Sequence, residues 1–174
     1  DLSVKLGPLE LANPVMTASG TFGYGSEYEE FFDPSILGAV VVKGVAPNPV
    51  HGNPTPRVAE VASGMINAIG LQGPGIEKFL HDEHYLPWLR KHNCKTVVNI
   101  WGKSVDDYRY VAERLDADSD GIAALEINVS CPNVKEGGIS FSSDTAAMGK
   151  VVAAVRSATK LPLITKLSPN VRSM

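Results

Sequence analysis

The sequence lacks the features that mark membrane, metal-binding or disulfide-linked proteins. Its two cysteines, Cys94 and Cys131, have a spacing typical of neither a zinc site nor a redox pair. The longest apolar run, residues 36–42, is too short to span a bilayer and ends at Lys43. The net charge of -3 gives no basic excess that would favour nucleic acid or an anionic membrane. These absences predict a reduced, cytoplasmic protein with no metal site, membrane segment or nucleic-acid partner.

The chain does have enough apolar content for a substantial core, being 44% hydrophobic and 20% charged. Short apolar strands alternate with segments of helical periodicity. The predicted strands are 14–17, 39–42, 96–100, 123–129 and 161–167, and a hairpin over residues 2–12 precedes them. The predicted helices cover 26–32, carry Ile76, Phe79 and Leu80, and begin at Ser104 and near Asp144.

This alternation predicts an α/β fold with a parallel sheet covered by helices. Two architectures compete, a (β/α)8 TIM barrel and a doubly wound sheet. The absence of a Gly-x-Gly-x-x-Gly run after the first strand weakens the second. Polar side chains occur where each strand ends, which is the rim on which barrel enzymes carry their chemistry; they are Ser19, Lys43, Asn99, Asn128 and Lys166. We therefore predict the barrel.

The number of strands conflicts with a complete barrel. Such barrels have eight strands and about 250 residues, whereas five strands are predicted here. We expect residues 1–174 to be the N-terminal portion of a single barrel domain, with the remainder of the barrel absent. A non-catalytic half-barrel fragment is the alternative.

The segment 126–133 is the strongest candidate for a reaction site. Here a strand ends in polar residues, and Cys131 stands between the carboxamides of Asn128 and Asn133. A carboxamide both donates and accepts hydrogen bonds, which suits an amide or imide ring. A thiol with a pKa near 8.5 makes a reasonable base once it is activated, and no adjacent histidine supports a nucleophilic pair. The alternative is an inert buried cysteine, the interpretation adopted for Cys94.

Other polar positions on the strand ends and loops indicate a bound ligand. Lys43 and Lys166 would point ammonium groups into the barrel, which is costly unless an anion or an electron-rich cofactor meets them. Lysines that reach out to solvent are the alternative. Ser19-Gly20 would let the backbone approach a planar ligand closely, although a simple tight turn is also possible.

A long excursion over residues 45–75 is predicted to be functional, since loops of that length in compact domains are usually functional or disordered. Its apolar residues Met65, Ile66, Ile69 and Leu71 argue for order. Asn67 and Gly70 would offer a carboxamide and a backbone amide to a ligand.

Five runs of residues resemble the motifs of one family in the same order: 13–20, 52–57, 67–71, 128–133 and 166–171. The chain is similar over essentially its whole length to the dihydroorotate dehydrogenases, flavin enzymes of de novo pyrimidine (UMP) biosynthesis. Cysteine at position 131 resembles the soluble class 1 enzymes, since the membrane-associated class has serine there. Thr55 with Arg57, Ala68-Ile69 and the run 166–171 are more similar to class 1B than to class 1A.

The resemblance implies a (β/α)8 barrel that holds FMN on its rim and oxidises dihydroorotate to orotate. Cys131 would be the base that removes the C5 proton as the C6 hydride passes to flavin N5. The pyrimidine and its carboxylate would be held by Lys43, Asn67, Ile69, Gly70, Leu71, Asn128 and Asn133. FMN would contact Ser19, Gly20, Lys43, Gly44, Asn99, Asn128 and Lys166, with Lys166 stabilising negative charge on the reduced isoalloxazine. The FMN phosphate site would lie in the part of the barrel that is absent.

Class 1B further implies a homodimer and an electron-transfer partner subunit with FAD and a 2Fe–2S cluster, through which electrons reach NAD. Two cysteines are too few to bind a cluster in this chain, which agrees with a cluster on the partner subunit. A related alternative is a flavin domain of the dihydropyrimidine dehydrogenase kind. Its site loop diverges after the Ser-Cys-Pro step, where this chain keeps Asn133.

Overall fold

The computed structural model describes residues 1–130, 135–136, 139–140 and 144–168. The strands are β1 (Val4–Leu6), β2 (Leu9–Leu11), β3 (Val40–Val41), β4 (Val58–Val61), β5 (Gly64–Asn67), β6 (Thr96–Ile100), β7 (Ile122–Asn128), β8 (Lys135–Glu136), β9 (Ile139–Ser140) and β10 (Leu163–Lys166). The α-helices are α1 (Ile76–His81), α2 (Leu86–Lys91), α3 (Val105–Ala117) and α4 (Thr145–Ala158), and single 3-10 turns span Ser26–Tyr28 and Pro34–Ile36. None of the helices in these ranges is long and apolar enough to cross a bilayer.

A parallel four-stranded sheet organises the chain, with the strand order β10-β7-β6-β3. A single parallel bridge between Met16 and Ala39 adds the first predicted strand beside β3. The five predicted strand positions are therefore confirmed in their order and direction. The first is shorter than expected because, beyond this bridge, the Thr17 hydroxyl rather than a backbone group bonds the Val41 N–H and carbonyl, at 2.7 and 3.1 Å.

The two faces of the sheet pack against different partners. One face, with Val98, Ile100, Leu125 and Ile127, contributes to a large core that includes residues of all four α-helices. The other face contributes Ala39, Val41, Val97 and Ala124 to a smaller cluster, which Leu9 and Leu11 of β2 complete. We call this second face the inner face. The N-terminal hairpin, predicted over residues 2–12, thus covers the amino-terminal end of the inner face. The carboxyl ends of the strands are left for polar residues.

Two of the helices that cover the sheet, α3 and α4, begin at side-chain caps. Ser104 Oγ accepts a hydrogen bond from the Asp107 N–H at 3.2 Å, and Asp144 Oδ1 accepts from the Ala146 and Ala147 N–H groups. The predicted starts of α3 and α4 are confirmed. The predicted helix over 26–32 is wrong in length: it is a single 3-10 turn, and its N-cap Gly25 makes no side-chain cap bond. Ser26 is the first residue of this turn, and its Oγ donates to the His84 carbonyl at 2.9 Å.

The excursion between β3 and α1 contains an antiparallel hairpin, β4–β5, that the sequence analysis missed. The expectation of order is confirmed, and the reason given for it holds for Leu71, which packs against the large core, but not for the hairpin residues. Met65 and Ile66 are 68% and 63% exposed, so they contribute no core. Cross-strand pairing orders the hairpin itself, and hydrogen bonds hold the loop that follows it.

Candidate functional site

A cavity of about 160 Å³ opens at the carboxyl ends of the parallel strands. Its walls include polar residues from each of the five strand ends, together with Gln72 and the indole of Trp101. The residues expected to contact the cofactor all line it: Ser19, Gly20, Lys43, Gly44, Asn99, Asn128 and Lys166. The fold therefore brings together side chains that are far apart in the sequence.

Sheet register explains why these side chains meet. Asn99 of β6 pairs with Glu126 of β7, and Lys166 of β10 pairs with Asn128. Residues two apart on a strand share a face, so Glu126 and Asn128 both lie on the inner face above the apolar Ala124. The inner face thus changes from apolar to polar along β7, and the polar part lies at the carboxyl end.

A hydrogen-bond network joins four of these residues. Ser19 Oγ donates to Glu126 Oε1 at 2.8 Å, and Asn99 Nδ2 donates to the same oxygen at 2.5 Å. Lys166 Nζ donates to Ser19 Oγ at 2.8 Å, and Asn99 Nδ2 lies 3.3 Å from the same hydroxyl. The Glu126 carboxylate therefore accepts from the Ser19 hydroxyl and the Asn99 carboxamide. The Ser19 hydroxyl in turn accepts from the Lys166 ammonium group at the edge of the cavity.

Asn128 is held by its own loop and by a helix. Its Oδ1 accepts from the Ser130 hydroxyl at 2.7 Å and from the Ser130 N–H at 3.2 Å. Its backbone carbonyl accepts from the hydroxyl of the fully buried Tyr108, at 2.8 Å. The end of β7, from which the chain continues to Cys131, is therefore anchored to α3.

A larger cavity of about 780 Å³ adjoins the first, and Lys43 and Gln72 line both. Ile69 and Tyr24 are also in its wall. Burial is the main factor raising the pKa of the Tyr24 phenol, and the neighbouring Tyr85 and Glu27 add to it, so this hydroxyl stays neutral. Lys43 therefore lies in the walls of both cavities.

Two side chains, Arg57 and Asn53, connect the segment before β4 with the loop between β5 and α1. Arg57 donates to the carbonyls of His51 and Asn53 at 3.2 and 3.1 Å, and it also bonds the Gln72 side chain. Asn53 Nδ2 donates to the Ala68 carbonyl at 2.7 Å. Gly70 has a φ of +78°, and a Cβ there would lie 2.9 Å from the Asn53 side chain, so this turn requires glycine.

The expected substrate residues divide into three groups. Lys43, Leu71 and Asn128 line the smaller cavity, and Ile69 lines the larger one. Asn67, at the end of β5, and Gly70, on the loop that follows, line neither of these two cavities, and Asn67 Oδ1 accepts from the Ile69 N–H at 3.5 Å. Cys131 and Asn133 lie outside the described residues.

Comparison with known proteins decides the family. The model of the family described as dihydroorotate dehydrogenase matches residues 1–174. The chain belongs to the dihydroorotate dehydrogenase family. Among named relatives, it is 52% identical over 171 residues to the catalytic subunit of dihydroorotate dehydrogenase B (NAD(+)) from Desulforamulus reducens, and 53% identical over 171 residues to that from Pelobacter propionicus. Each match covers 98% of this chain and 55% of the relative, so the chain spans about half the length of these relatives.

Solved structures agree on the fold. A crystal structure of the Eimeria tenella dihydroorotate dehydrogenase in complex with ferulenol superposes with a TM-score of 0.74 at 25% identity, over 98% of this chain and 53% of that one. A ligand-free structure of the enzyme from the same organism gives a TM-score of 0.73 at 24% identity, over 99% of this chain and 55% of that one. The predicted fold class is confirmed: a dihydroorotate dehydrogenase TIM barrel, of which this chain contains the first five strand positions.

The smaller cavity suits a flavin of the kind that dihydroorotate dehydrogenases use. Gly20 has a φ of +87° and open space where a Cβ would lie, so a planar ring can approach the backbone there. Lys43 and Lys166 supply positive charge at opposite sides of the parallel sheet. Asn99 and Asn128 supply carboxamides, which match a ring that has both hydrogen-bond donors and acceptors. The donor set and the open backbone at Gly20 therefore fit the ring of a flavin.

Glu126, Trp101 and Gln72 belong to this region of the dihydroorotate dehydrogenase fold but were missed in the sequence analysis. A signal for Glu126 was available. It is a charged residue inside an otherwise apolar strand, two positions before Asn128, and this spacing places it on the same face. Trp101 and Gln72 had no comparable signal, because their position at the cavity depends on how the loops fold.

Cys94 is structural, as expected. It is 4% exposed and precedes β6, at the end of the sheet opposite the cavity. Burial raises the pKa of its thiol to about 11, with a smaller contribution from Asp33. Almost none of the reactive thiolate is therefore present at neutral pH.

Replacing Gly44 by alanine should weaken flavin binding at least about tenfold, the effect of overpacking by one methyl group in a tight site. A Cβ at Gly44 would lie 2.7 Å from Trp101 Cδ1 and 3.0 Å from Asn99 Oδ1, so both cavity residues would have to move. Titration of the complete polypeptide with FMN, followed by flavin fluorescence, measures the change. Gly64→Ala is the matched control, because a Cβ there meets nothing within 4 Å. Equal FMN affinity in the two variants would contradict the assignment of this cavity to flavin.

Proposed function

We propose that this chain is the N-terminal part of the catalytic subunit of a class 1B dihydroorotate dehydrogenase, within one barrel domain that binds FMN. The reaction is the oxidation of dihydroorotate to orotate in de novo pyrimidine biosynthesis. One observation carries the proposal: the side chains expected around the flavin all line a single cavity at the carboxyl ends of the parallel strands. The names of the relatives, which specify dihydroorotate dehydrogenase B (NAD(+)), support the class.

The proposed chemistry divides between cofactor and protein. When bound, FMN would accept the hydride that leaves C6 of dihydroorotate. Cys131 would take the proton from C5, so that the C5–C6 double bond of orotate forms as both C–H bonds break. Asn128 lies three residues before Cys131, at the end of β7, and its position in the cavity wall supports the placement of the base near the ring.

The remaining residues would bind and orient. Lys43 lies in the walls of both cavities, so its ammonium group is suited to meet the substrate carboxylate at the edge of the flavin. The loop after β5, which Arg57 holds through the Gln72 side chain, would bring Ile69 and Leu71 against the pyrimidine ring. Asn67, Gly70 and Asn133 are proposed as further substrate contacts.

Partners and location follow from the same proposal. The relatives are named catalytic subunits, which implies that they work with another subunit. We propose a homodimer that associates with an electron-transfer subunit carrying FAD and a 2Fe–2S cluster, with NAD as the final acceptor. The complex would be cytoplasmic.

The test uses the complete polypeptide that contains these residues, first checked by intact mass. We expect a yellow protein with flavin absorbance. Under anaerobic conditions, adding dihydroorotate should remove this absorbance as orotate forms. Uracil is the matched substrate for the dihydropyrimidine dehydrogenase alternative, and the enzyme should not reduce it. A colourless protein that binds no added FMN, or one that acts on uracil and not on dihydroorotate, would refute the proposal.

A further inference from the structure

Glu126 lies on the inner face of the sheet, one layer below the rim of the cavity. Towards the amino end of the strands the same face is apolar, formed by Val41, Val97 and Ala124. Towards the carboxyl end lie Asn128 and its strand partner Lys166. A carboxylate at such a boundary is costly unless donors satisfy it. Ser19 and Asn99 satisfy one of its oxygens, at 2.8 and 2.5 Å.

The acceptor chemistry of this carboxylate determines the direction of each bond around it. An ionised carboxylate only accepts, so the single O–H of Ser19 is used in donating to Glu126. The Ser19 oxygen is then an acceptor for the Lys166 ammonium group at 2.8 Å. Each bond in the network therefore has one direction: Lys166 donates to Ser19, and Ser19 donates to Glu126.

The same reasoning determines the orientation of the Asn99 side chain. Its Nδ2 faces Glu126 Oε1 at 2.5 Å and Ser19 Oγ at 3.3 Å. Its Oδ1 must then point the other way, and it lies 3.0 Å from the place where a Cβ of Gly44 would be. Gly44 is part of the cavity wall, so Asn99 presents an acceptor on that side.

We propose that Glu126 is a positioning residue of the flavin site, which acts through Ser19 and Asn99 to aim the Lys166 ammonium group and the Asn99 carbonyl oxygen at the cofactor. This inference rests on the proposed function, because it concerns the same cavity. Without an acceptor at position 126, the Ser19 hydroxyl is free to turn and Asn99 is free to flip its carboxamide. Lys166 then loses an oriented acceptor, and the cavity no longer presents one fixed pattern of donors and acceptors.

The experiment compares FMN dissociation constants of the complete polypeptide carrying different residues at position 126. Glu126→Leu removes the acceptor and should weaken FMN binding at least about tenfold, the scale for losing hydrogen bonds to a charged group. Glu126→Gln keeps an oxygen that can accept both bonds, and it should stay within about threefold of the wild type. Thermal unfolding without FMN checks the fold, and Glu126→Ala is the second acceptor-free variant in case the leucine protein does not fold.

Coupling with Ser19 separates positioning from a general loss of stability. If Glu126 acts through Ser19, the weakening caused by Glu126→Leu should be smaller in a Ser19→Ala background than in the wild type. Wild-type FMN affinity in the acceptor-free variants would overturn the inference. Equal weakening by Gln and Leu, or full additivity with Ser19→Ala, would overturn it as well.

The outcomes also distinguish this inference from the proposed function. A wild-type protein that binds FMN and is reduced by dihydroorotate, with variants that depart from the expected pattern, refutes only the role of Glu126. A wild-type protein that binds no FMN refutes both.

Discussion

Replacing Cys131 by serine should leave FMN bound but slow reduction of the flavin by dihydroorotate at least about a hundredfold at neutral pH, the usual effect of losing a positioned base. A serine hydroxyl is a far weaker acid than a thiol, so little of its anionic form is present to accept the C5 proton. Anaerobic stopped-flow mixing of the oxidised protein with dihydroorotate, followed by the loss of flavin absorbance, measures this step directly.

Cys94→Ser provides the matched control for this substitution. Cys94 is buried near the amino end of β6, far along the strand from the cavity, and the raised pKa of its thiol keeps it protonated. The same chemical change there should leave the rate of flavin reduction within about twofold of the wild type, since no described contact links Cys94 to the site. A near-normal rate in Cys131→Ser would remove Cys131 from the role of base.

Replacing Lys166 by alanine should weaken FMN binding by about tenfold to a hundredfold and also slow flavin reduction. The Lys166 ammonium group lies in the cavity wall and is held by Ser19 Oγ at 2.8 Å, so its charge is directed rather than free in solvent. A preorganised cation stabilises negative charge that develops on the cofactor side of the reaction. Fluorescence titration with FMN and the same stopped-flow assay give the two quantities.

Lys160→Ala is the control for the loss of one positive charge. Lys160 is exposed and lies just before β10, at the opposite end of the strand from Lys166. Its removal should change neither FMN affinity nor the reduction rate, because exposed charges at that separation are largely screened. If Lys166→Ala behaved like Lys160→Ala in both assays, Lys166 would have no part in the flavin site.

The location of the site could be predicted from the sequence because it depends on strand polarity. In a parallel sheet the carboxyl ends of all strands share one edge, so polar residues that follow apolar strands must gather there. Ser19, Lys43, Asn99, Asn128 and Lys166 do gather there, around one cavity. Local patterns sufficed for this result because the end of each strand can be recognised in the sequence, where an apolar run changes to polar residues.

The excursion shows where local patterns fail. Met65 and Ile66 look like core residues in the sequence, yet they are exposed on a hairpin. Order in this segment comes from Arg57 and Asn53, whose bonds go to carbonyls and to Gln72. Every residue has a backbone carbonyl, so the sequence does not show which carbonyls accept these bonds.

By itself, the sequence determined the parallel sheet, the order of its strands, the edge that carries polar residues and the family to which the chain belongs. It did so through apolar runs, strand ends and short motifs, all of which are local. Only the tertiary structure decided which polar groups bond to one another. Ser19 lies 107 positions from Glu126 and 147 from Lys166, and it meets both only because the parallel pairing of β7 with β10 places the carboxyl ends of these strands side by side. The direction of each hydrogen bond follows from that juxtaposition, since a carboxylate can only accept.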